Sequence, residues 1–349
     1  MNIRQLDRIL SKLKDISVLV LGDYFLDKYL LIDPDLDENS IETGLSTYQV
    51  ASKKLDPGAA GTVTNNLKAL GVGTVIGLGV AGDDGEGFEL IKGLQNTGVV
   101  TDNIIITGER FTPTYIKPMI MDRESREANR IDIKNRIPTP GWIEDLIIER
   151  LLKLSNHVDA IIVMDQVTKK NCGAVTERVR KKLSELGKTK KDLIIYADSR
   201  EFISFYDNIL IKCNNHELLN AYSIPFDKNL NADLIQKYGI KMSLKNDRPV
   251  FVTMGSKGQM VFEGKKVTEI PAVPVEEPFD ICGAGDAATA GIISALCCGA
   301  DYCDAALFGN TVASITIQQL GTTGTASPEQ VLNRFKEIVN LEEFSTLCK

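Results

Sequence analysis

Six apolar runs, ISVLVLG (16–22), TVIGLGV (74–80), DAIIVM (159–164), DLIIYA (192–197), NILIK (208–212) and PVFVTM (249–254), have the length of buried strands. Between most of them lie stretches of helical spacing: GTVTNNLKALG (61–71), GFELIKGLQNTG (87–98), GWIEDLIIERLLKL (141–154) and GAVTERVRKKLSEL (173–186). Continuously apolar strands alternating with helices demand a mostly parallel sheet covered on both faces, an α/β fold. Two segments break the rhythm: 28–50, KYLLIDPDLDENSIETGLSTYQV, and 107–134, which holds TYIKPMIM and NRIDIK. Both are polar and strand-like. They predict a small β-sheet lid projecting from a main domain of 1–27, 51–106 and 135–349; two long surface hairpins are the alternative.

With 349 residues and 43% hydrophobic content, the chain can bury an ample core. Lys plus Arg number 40 against 47 Asp plus Glu, a net charge of −7, and no basic cluster suggests nucleic acid or a membrane as partner. The seven cysteines are scattered, with no C-x-x-C pair, and only His157 and His216 could assist them in metal binding. Buried, reduced thiols are expected. The N-terminal MNIRQLDRILSKLKD reads as an amphipathic helix rather than a signal peptide, and no run of 18 apolar residues occurs, so a cytoplasmic location is expected. No repeat, low-complexity tract or linker interrupts the chain.

Gly77, Gly79 and Gly82 in GLGVAG match the G-x-G-x-x-G of dinucleotide-binding folds. That fingerprint normally opens the first βαβ unit and has an acidic residue about 20 positions on, at the end of the second strand. Here the unit comes second and Asp102 precedes the apolar run IIIT, so glycines serving a tight strand-to-helix turn fit better than a nicotinamide site.

The stretch DICGAGDAATAGIISAL (280–296) sets two glycines and an aspartate before a run of small and apolar residues. Gly283 and Gly285 allow backbone conformations that let several amides converge, and a helix from about Ala284 to Gly299 adds its free N-terminal amides and dipole. Together these make an anion hole suited to phosphate. Asp286, in the first turn, is expected to be held ionised by the dipole, orienting and deprotonating a hydroxyl while the amides hold a phosphoryl group. The other reading makes Asp286 a capping residue and the glycines a turn.

These residues resemble the ribokinase-like PfkB carbohydrate kinase family. DICGAGDAATAG resembles its D-T-x-G-A-G-D motif, PGAAGTVTNNLKALG (57–71) its N-terminal glycine motif, LGDYFLDKY (21–29) its opening strand, and VAGDDGEG (80–87) its G-x-D-x-x-G turn. Within the family the chain resembles the kinase domain of the bifunctional ADP-heptose synthase, through VTMGSKG (252–258), KCNNHE (212–217), PTYIKPMI with NRID, and LGTTGTASPEQVL (320–332). No nucleotidyltransferase segment follows, so only the kinase half is expected.

The resemblance implies a three-layer α/β/α fold, ATP and Mg²⁺, a sugar or sugar phosphate as acceptor, and a homodimer through the lid. It places the catalytic base at Asp286 and the anion hole at Gly283, Ala284 and Gly285. It assigns Asp27, Gly58 and Asn66 to the sugar, with Lys117, Arg123 and Arg130 as cations for a substrate phosphate. Asn214, Gly255, Ser256, Gly258 and Asn310 fall on the nucleotide side, Glu217 near Mg²⁺, and Asp280 in a loop for K⁺. The chain departs from the pattern on the sugar side: Ala59 replaces the second glycine of P-G-G, Thr62 stands at the usual asparagine, DENSIETGLSTYQV (37–50) replaces the heptose kinase lid segment, and Lys169 is displaced by one position. The acceptor is therefore a sugar or sugar phosphate, with heptose 7-phosphate one candidate. A nucleoside or other small-alcohol kinase, a noncatalytic nucleotide-binding module and a nicotinamide oxidoreductase are the alternatives.

Overall fold

The computed structural model describes residues 1–121, 126–225 and 232–339. Its main sheet has nine strands in the order Lys266–Ile270, Gln259–Glu263, Val250–Thr253, Leu210–Asn214, Ile194–Ser199, Ala160–Asp165, Ser17–Gly22, Thr74–Gly82 and Val100–Thr107. All neighbours from Val250–Thr253 onward are parallel, and only the first two strands pair antiparallel. Each of the six apolar runs forms a parallel strand.

Alternation within the strands builds two cores. Val18, Val20, Ala160, Ile162 and Phe251 pack with the helices Ile3–Lys12, Ala60–Ala69, Gly85–Asn96, Ala284–Cys297, Tyr302–Thr316 and Pro328–Ile338. Leu19, Leu21, Ile161, Val163 and Val252 face the other way, onto Gly141–Leu154, Glu177–Thr189, Asn215–Asn220 and Ala232–Asn246. The three layers are those expected. The helix expected over 173–186 starts only at Glu177, because Thr176 accepts from the Val179 amide and caps it there.

The run of small residues after Gly285 follows from close packing. Ala287 through Leu296 are all buried, and Gly291 meets Gly309 of Tyr302–Thr316 so closely that a Cβ at 291 would stand 2.9 Å from the Gly309 Cα. Larger side chains would force the two helices apart.

A second sheet grows directly out of Ser17–Gly22. Tyr24–Ile32 lies between Val50–Ala59, antiparallel, and Thr114–Ile120, parallel, and the latter also pairs with Arg126–Glu127 and Ile131–Ile133. The segment 28–50 contributes a small hairpin, Glu38–Asn39 with Ser46–Thr47, beyond this sheet. The sheet thus begins before residue 28 and takes in residues 51–59, outside the bounds expected for it.

Gly77, Gly79 and Gly82 lie within the strand Thr74–Gly82 rather than in a strand-to-helix turn. At Gly79 a Cβ would stand 2.7 Å from the ring of buried Tyr24, whose hydroxyl donates to Val20 O at 2.9 Å. Two of the glycines make room for this tyrosine: at Gly77 a Cβ would come within 3.0 Å of its hydroxyl. The second aspartate of VAGDDGEG, Asp84, caps Gly85–Asn96 through the Gly87 amide and binds both the amide and the hydroxyl of Thr112, fixing the approach to the second sheet.

Candidate active site

The first turn of Ala284–Cys297 meets the ends of two parallel strands. Gly283 has φ +79°, a left-handed conformation that glycine adopts without strain, and it has no side-chain cap to offer. The Ala284 amide donates to Ile281 O at 3.2 Å; among the described residues the amides of Gly283 and Gly285 have no acceptor in the chain. Gly285 was expected to be glycine for backbone freedom, but its φ is not positive. Its reason is steric. A Cβ there would stand 3.0 Å from Lys212 Nζ.

Lys212, from the strand Leu210–Asn214, forms an ion pair at 2.6 Å with Asp198 of the neighbouring strand, the lysine side chain 7% and the aspartate 5% exposed. Burial works against the ammonium, yet Asp198, Glu217 and Asp286 outweigh it and raise the Lys212 pKa. The Asp286 carboxyl is pushed up to about 7, first by burial and then by the Asp198 charge; Lys212 and Arg200 pull it down, and Asp27 adds to the rise. The dipole of the first helical turn favours the ionised form, whereas burial and the Asp198 charge work against it.

Asp27 on Tyr24–Ile32 pairs with Lys117 of Thr114–Ile120 at 3.0 Å, and Lys117 also donates to the Tyr29 hydroxyl at 3.1 Å. Burial opposes the Lys117 charge, but Asp27 and Tyr29 outweigh it and raise its pKa. Gly58 on the adjacent strand is needed for this approach: a Cβ there would lie 2.5 Å from Asp27 Oδ2. Phe25 and Tyr115 share this face, their rings edge-on at 5.4 Å. Below them lies a cavity of about 250 Å³ lined by Phe25, Tyr115, Arg136, Lys169 and Arg200 among others. Arg200 also lies within electrostatic reach of Asp286, which joins the cavity to the helix mouth. Its floor is tied by Asp23, whose carboxylate accepts from the amides of Gln166, Val167 and Ala174.

The remaining predicted site residues divide. Asn66 is fully buried, donating to Thr62 O at 3.0 Å one turn back, so it does not reach the site. Thr62, one turn nearer the start of that helix, lies beside Gly283 instead. Arg130 is exposed, engaged by Asp132 at 2.6 and 3.0 Å and stacked 4.4 Å over Tyr115. Arg123 lies outside the described residues. Asn214 and Glu217 form a reciprocal capping box at 2.8 and 2.7 Å, and Glu217 is enclosed rather than solvated, its pKa raised by burial and by Asp198.

Gly255, with φ +59°, Ser256 and Gly258, with φ +83°, form the turn between Val250–Thr253 and Gln259–Glu263. Asn310 is a satisfied interior amide, donating to Pro271 O and accepting from Gln259 at 2.8 and 2.7 Å. Asp280 turns back on the Cys282 amide at 2.9 Å. Among the described residues no three His, Cys, Asp or Glu side chains gather as a metal-ligand set. Of the cysteines, Cys172, Cys213 and Cys298 are buried as expected, whereas Cys282 is exposed; Cys348 lies outside the described residues. No helix of the described residues is long and apolar enough to cross a membrane.

Sequence reading passed over Lys212, Asp198, Arg136 and Arg200. The signals available were Lys212 at the head of KCNNHE (212–217) and closing the apolar strand NILIK, and Asp198 and Arg200 within ADSR (197–200), to none of which the sequence reading assigns a role.

A parallel sheet whose strand ends face an open helix mouth, a carboxyl group and a second, smaller sheet is the architecture of the ribokinase-like fold. The chain belongs to the pfkB family of carbohydrate kinases, whose model matches residues 27–330. It is 25% identical over 335 residues to the bifunctional protein HldE of Pelobacter propionicus, covering 95% of this chain and 66% of that protein. Against HldE of Trichlorobacter lovleyi the identity is 27%, over 95% of this chain and 65% of the relative. The chain thus spans a little under two thirds of these relatives. Among solved structures, the fold matches Escherichia coli phosphofructokinase-2 in complex with potassium with a TM-score of 0.73, 16% identity and coverage of 93% and 99% of the two chains. Arabidopsis thaliana ribokinase complexed with ribose and ATP matches with a TM-score of 0.67, 18% identity and coverage of 92% and 99%.

Proposed function

We propose that the chain transfers the γ-phosphoryl group of Mg·ATP to a hydroxyl of a sugar or sugar phosphate held between the main sheet and the second sheet, which acts as a lid. The observation that carries this reading is Asp286: its carboxyl, pushed up to about 7, stands one residue from an amide that lacks an acceptor. A base with a pKa near the working pH takes a proton most effectively. In this scheme Asp286 removes the acceptor proton as the oxygen attacks, while the amides of Gly283, Ala284 and Gly285 receive the phosphoryl oxygens.

Asp27 holds sugar hydroxyls, exchanging its bond to Lys117 for bonds to substrate, and the Phe25–Tyr115 face carries the sugar ring toward the cavity. Lys117 and Arg130 already have carboxylate partners, whereas among the described residues the side chains of Arg136 and Arg200 have none. These two arginines, exposed at the cavity, are therefore the groups suited to a phosphate on the acceptor. The HldE relatives favour a heptose-7-phosphate-like acceptor.

On the nucleotide side the turn at Gly255, Ser256 and Gly258 runs along the phosphates and ribose, Asn214 anchors the loop beside them, and Asn310 serves as wall rather than as a hydrogen-bonding partner of the base. Glu217 fits a Mg²⁺ ion that keeps most of its ligands from water and phosphate, and the ion would supply charge neutralisation there. A K⁺ ion would be held by the loop at Asp280: the Oδ1 of this residue accepts from the Cys282 amide, and its second carboxylate oxygen is the group that would face the cation. A cytoplasmic homodimer joined through the lid completes the proposal, and a monomeric mass in light scattering would remove that part.

The test is a panel of sugars, sugar phosphates and nucleosides monitored for ADP release. The proposal expects turnover with a phosphorylated sugar, and Arg136→Gln should raise KM for that acceptor far more than for its unphosphorylated parent. Turnover confined to nucleosides, or none across the panel, would overturn it.

A further inference from the structure

We propose that Lys212 is a catalytic residue whose ammonium donates to the oxygens of the phosphoryl group in flight. The inference rests on the kinase reading above but concerns a residue outside the helix. Lys212 comes from a central strand and is 6% exposed, yet among the described residues its only hydrogen bond is to Asp198. An ammonium has three donors, and buried donors without acceptors are costly. Its Nζ lies 3.0 Å from the place a Cβ would take at Gly285, beside the Gly283 and Gly285 amides, which also lack acceptors in the chain. Donors from two separate elements thus converge on one space. A group carrying several oxygens satisfies them together.

Asp198 fixes the ammonium in place and is itself supported by the Thr289 hydroxyl at 3.4 Å. During transfer the bond from the γ-phosphorus to the bridging oxygen of ATP breaks, the bond to the acceptor oxygen forms, and the acceptor proton passes to Asp286. Lys212 stays protonated and forms no covalent bond; its charge offsets that gathering on the equatorial oxygens. The glycine of the helix mouth thereby has a chemical purpose, since it opens the path from the ammonium to the phosphoryl group. The competing view is that Lys212 does no more than neutralise Asp198.

The two views separate in the double variant Asp198→Asn with Lys212→Met, which removes the pair together and leaves no buried charge alone. With folding checked by thermal melting, kcat with ATP and the best acceptor of the panel should fall at least about 100-fold, with KM for ATP within about threefold. Calorimetry with ADP plus fluoroaluminate and Mg²⁺ should show binding at least about tenfold weaker than in the parent, with ADP alone unchanged. A folded double variant that keeps its kcat and its grip on the mimic overturns the role of Lys212. Should that variant fail to fold, Gly285→Ala decides: its methyl group presses on Nζ, so kcat should drop, and unchanged kcat overturns the proposal. Asp286→Asn distinguishes the two failures. Full turnover there sinks the kinase reading itself, whereas lost turnover there with full turnover in the pair variant sinks only Lys212.

Discussion

Two ion pairs face each other across the site, and they differ in how firmly they are held. Lys212 and Asp198, at the helix mouth, keep 7% and 5% of their side-chain surface at a separation of 2.6 Å. Lys117 and Asp27, on the second sheet, keep 15% each at 3.0 Å. The first pair is wedged between central parallel strands and a helix of small residues, where rearranging buried charge is expensive. The second sits on the smaller sheet, where both partners keep more contact with solvent and water can substitute for either. Rigid charge suits a transition state whose geometry must not vary, while exchangeable charge suits recognition of a ligand that arrives with its own hydroxyls.

If that contrast is right, removing groups on the two sides should damage different constants. Asp286→Asn should lower kcat at least about 100-fold while ATP binding, followed by calorimetry, stays near that of the parent. A variant within a few-fold of the parent would remove Asp286 from the mechanism. Asp27→Asn should instead raise acceptor KM by about 10- to 100-fold, as expected for losing charge-assisted hydrogen bonds, with a smaller effect on kcat. Equal loss in kcat from both changes would break the distinction.

Titration sharpens it further. Because Asp286 must be ionised to accept a proton, kcat should rise with pH through about 7. The stability effect has the opposite sign. Burial raises the folded-state pKa of Asp286 above its unfolded value of 3.8, so the stability linked to its proton is complete below about 4 and lost as pH rises through about 7. Asp286→Asn should consequently melt above the parent at pH 8, by about 2 °C or more, with the gap closing toward pH 4; differential scanning calorimetry reads this directly. A constant gap would mean that the carboxyl is not desolvated as described.

The smallest effect concerns the junction of the two regions. Ala59, where the lid strand Val50–Ala59 enters the helix Ala60–Ala69, has φ +53° and ψ −114°, a conformation that costs a residue with a Cβ of order 1–3 kcal/mol. Ala59→Gly should stabilise the protein by about 1 kcal/mol in chemical denaturation, after the entropy that glycine loses. No gain would show that the surrounding contacts, rather than the backbone, set the cost.

Much of this protein is written in local pattern. The period of apolar residues determined the six parallel strands and most of the helices packed on them, because a strand buried on both faces has to be apolar throughout. The motif around Gly283 likewise announced a left-handed turn opening a helix, since few residues but glycine occupy that conformation easily. The tertiary structure alone decided which charges meet. Nothing local distinguishes Asn66, one turn too deep in its helix, from Thr62, which lies beside Gly283. Nor does any local pattern pair Lys117 with Asp27, or Arg130 with Asp132 rather than with a substrate. The glycines at 79 and 285 are there for Tyr24 and for Lys212, residues 55 and 73 positions away along the chain. Backbone preference is a property of neighbours in sequence, whereas desolvation and ion pairing depend on neighbours in space, and so the pKa of Asp286 and the place of Lys212 beside it emerge only once the strands are assembled.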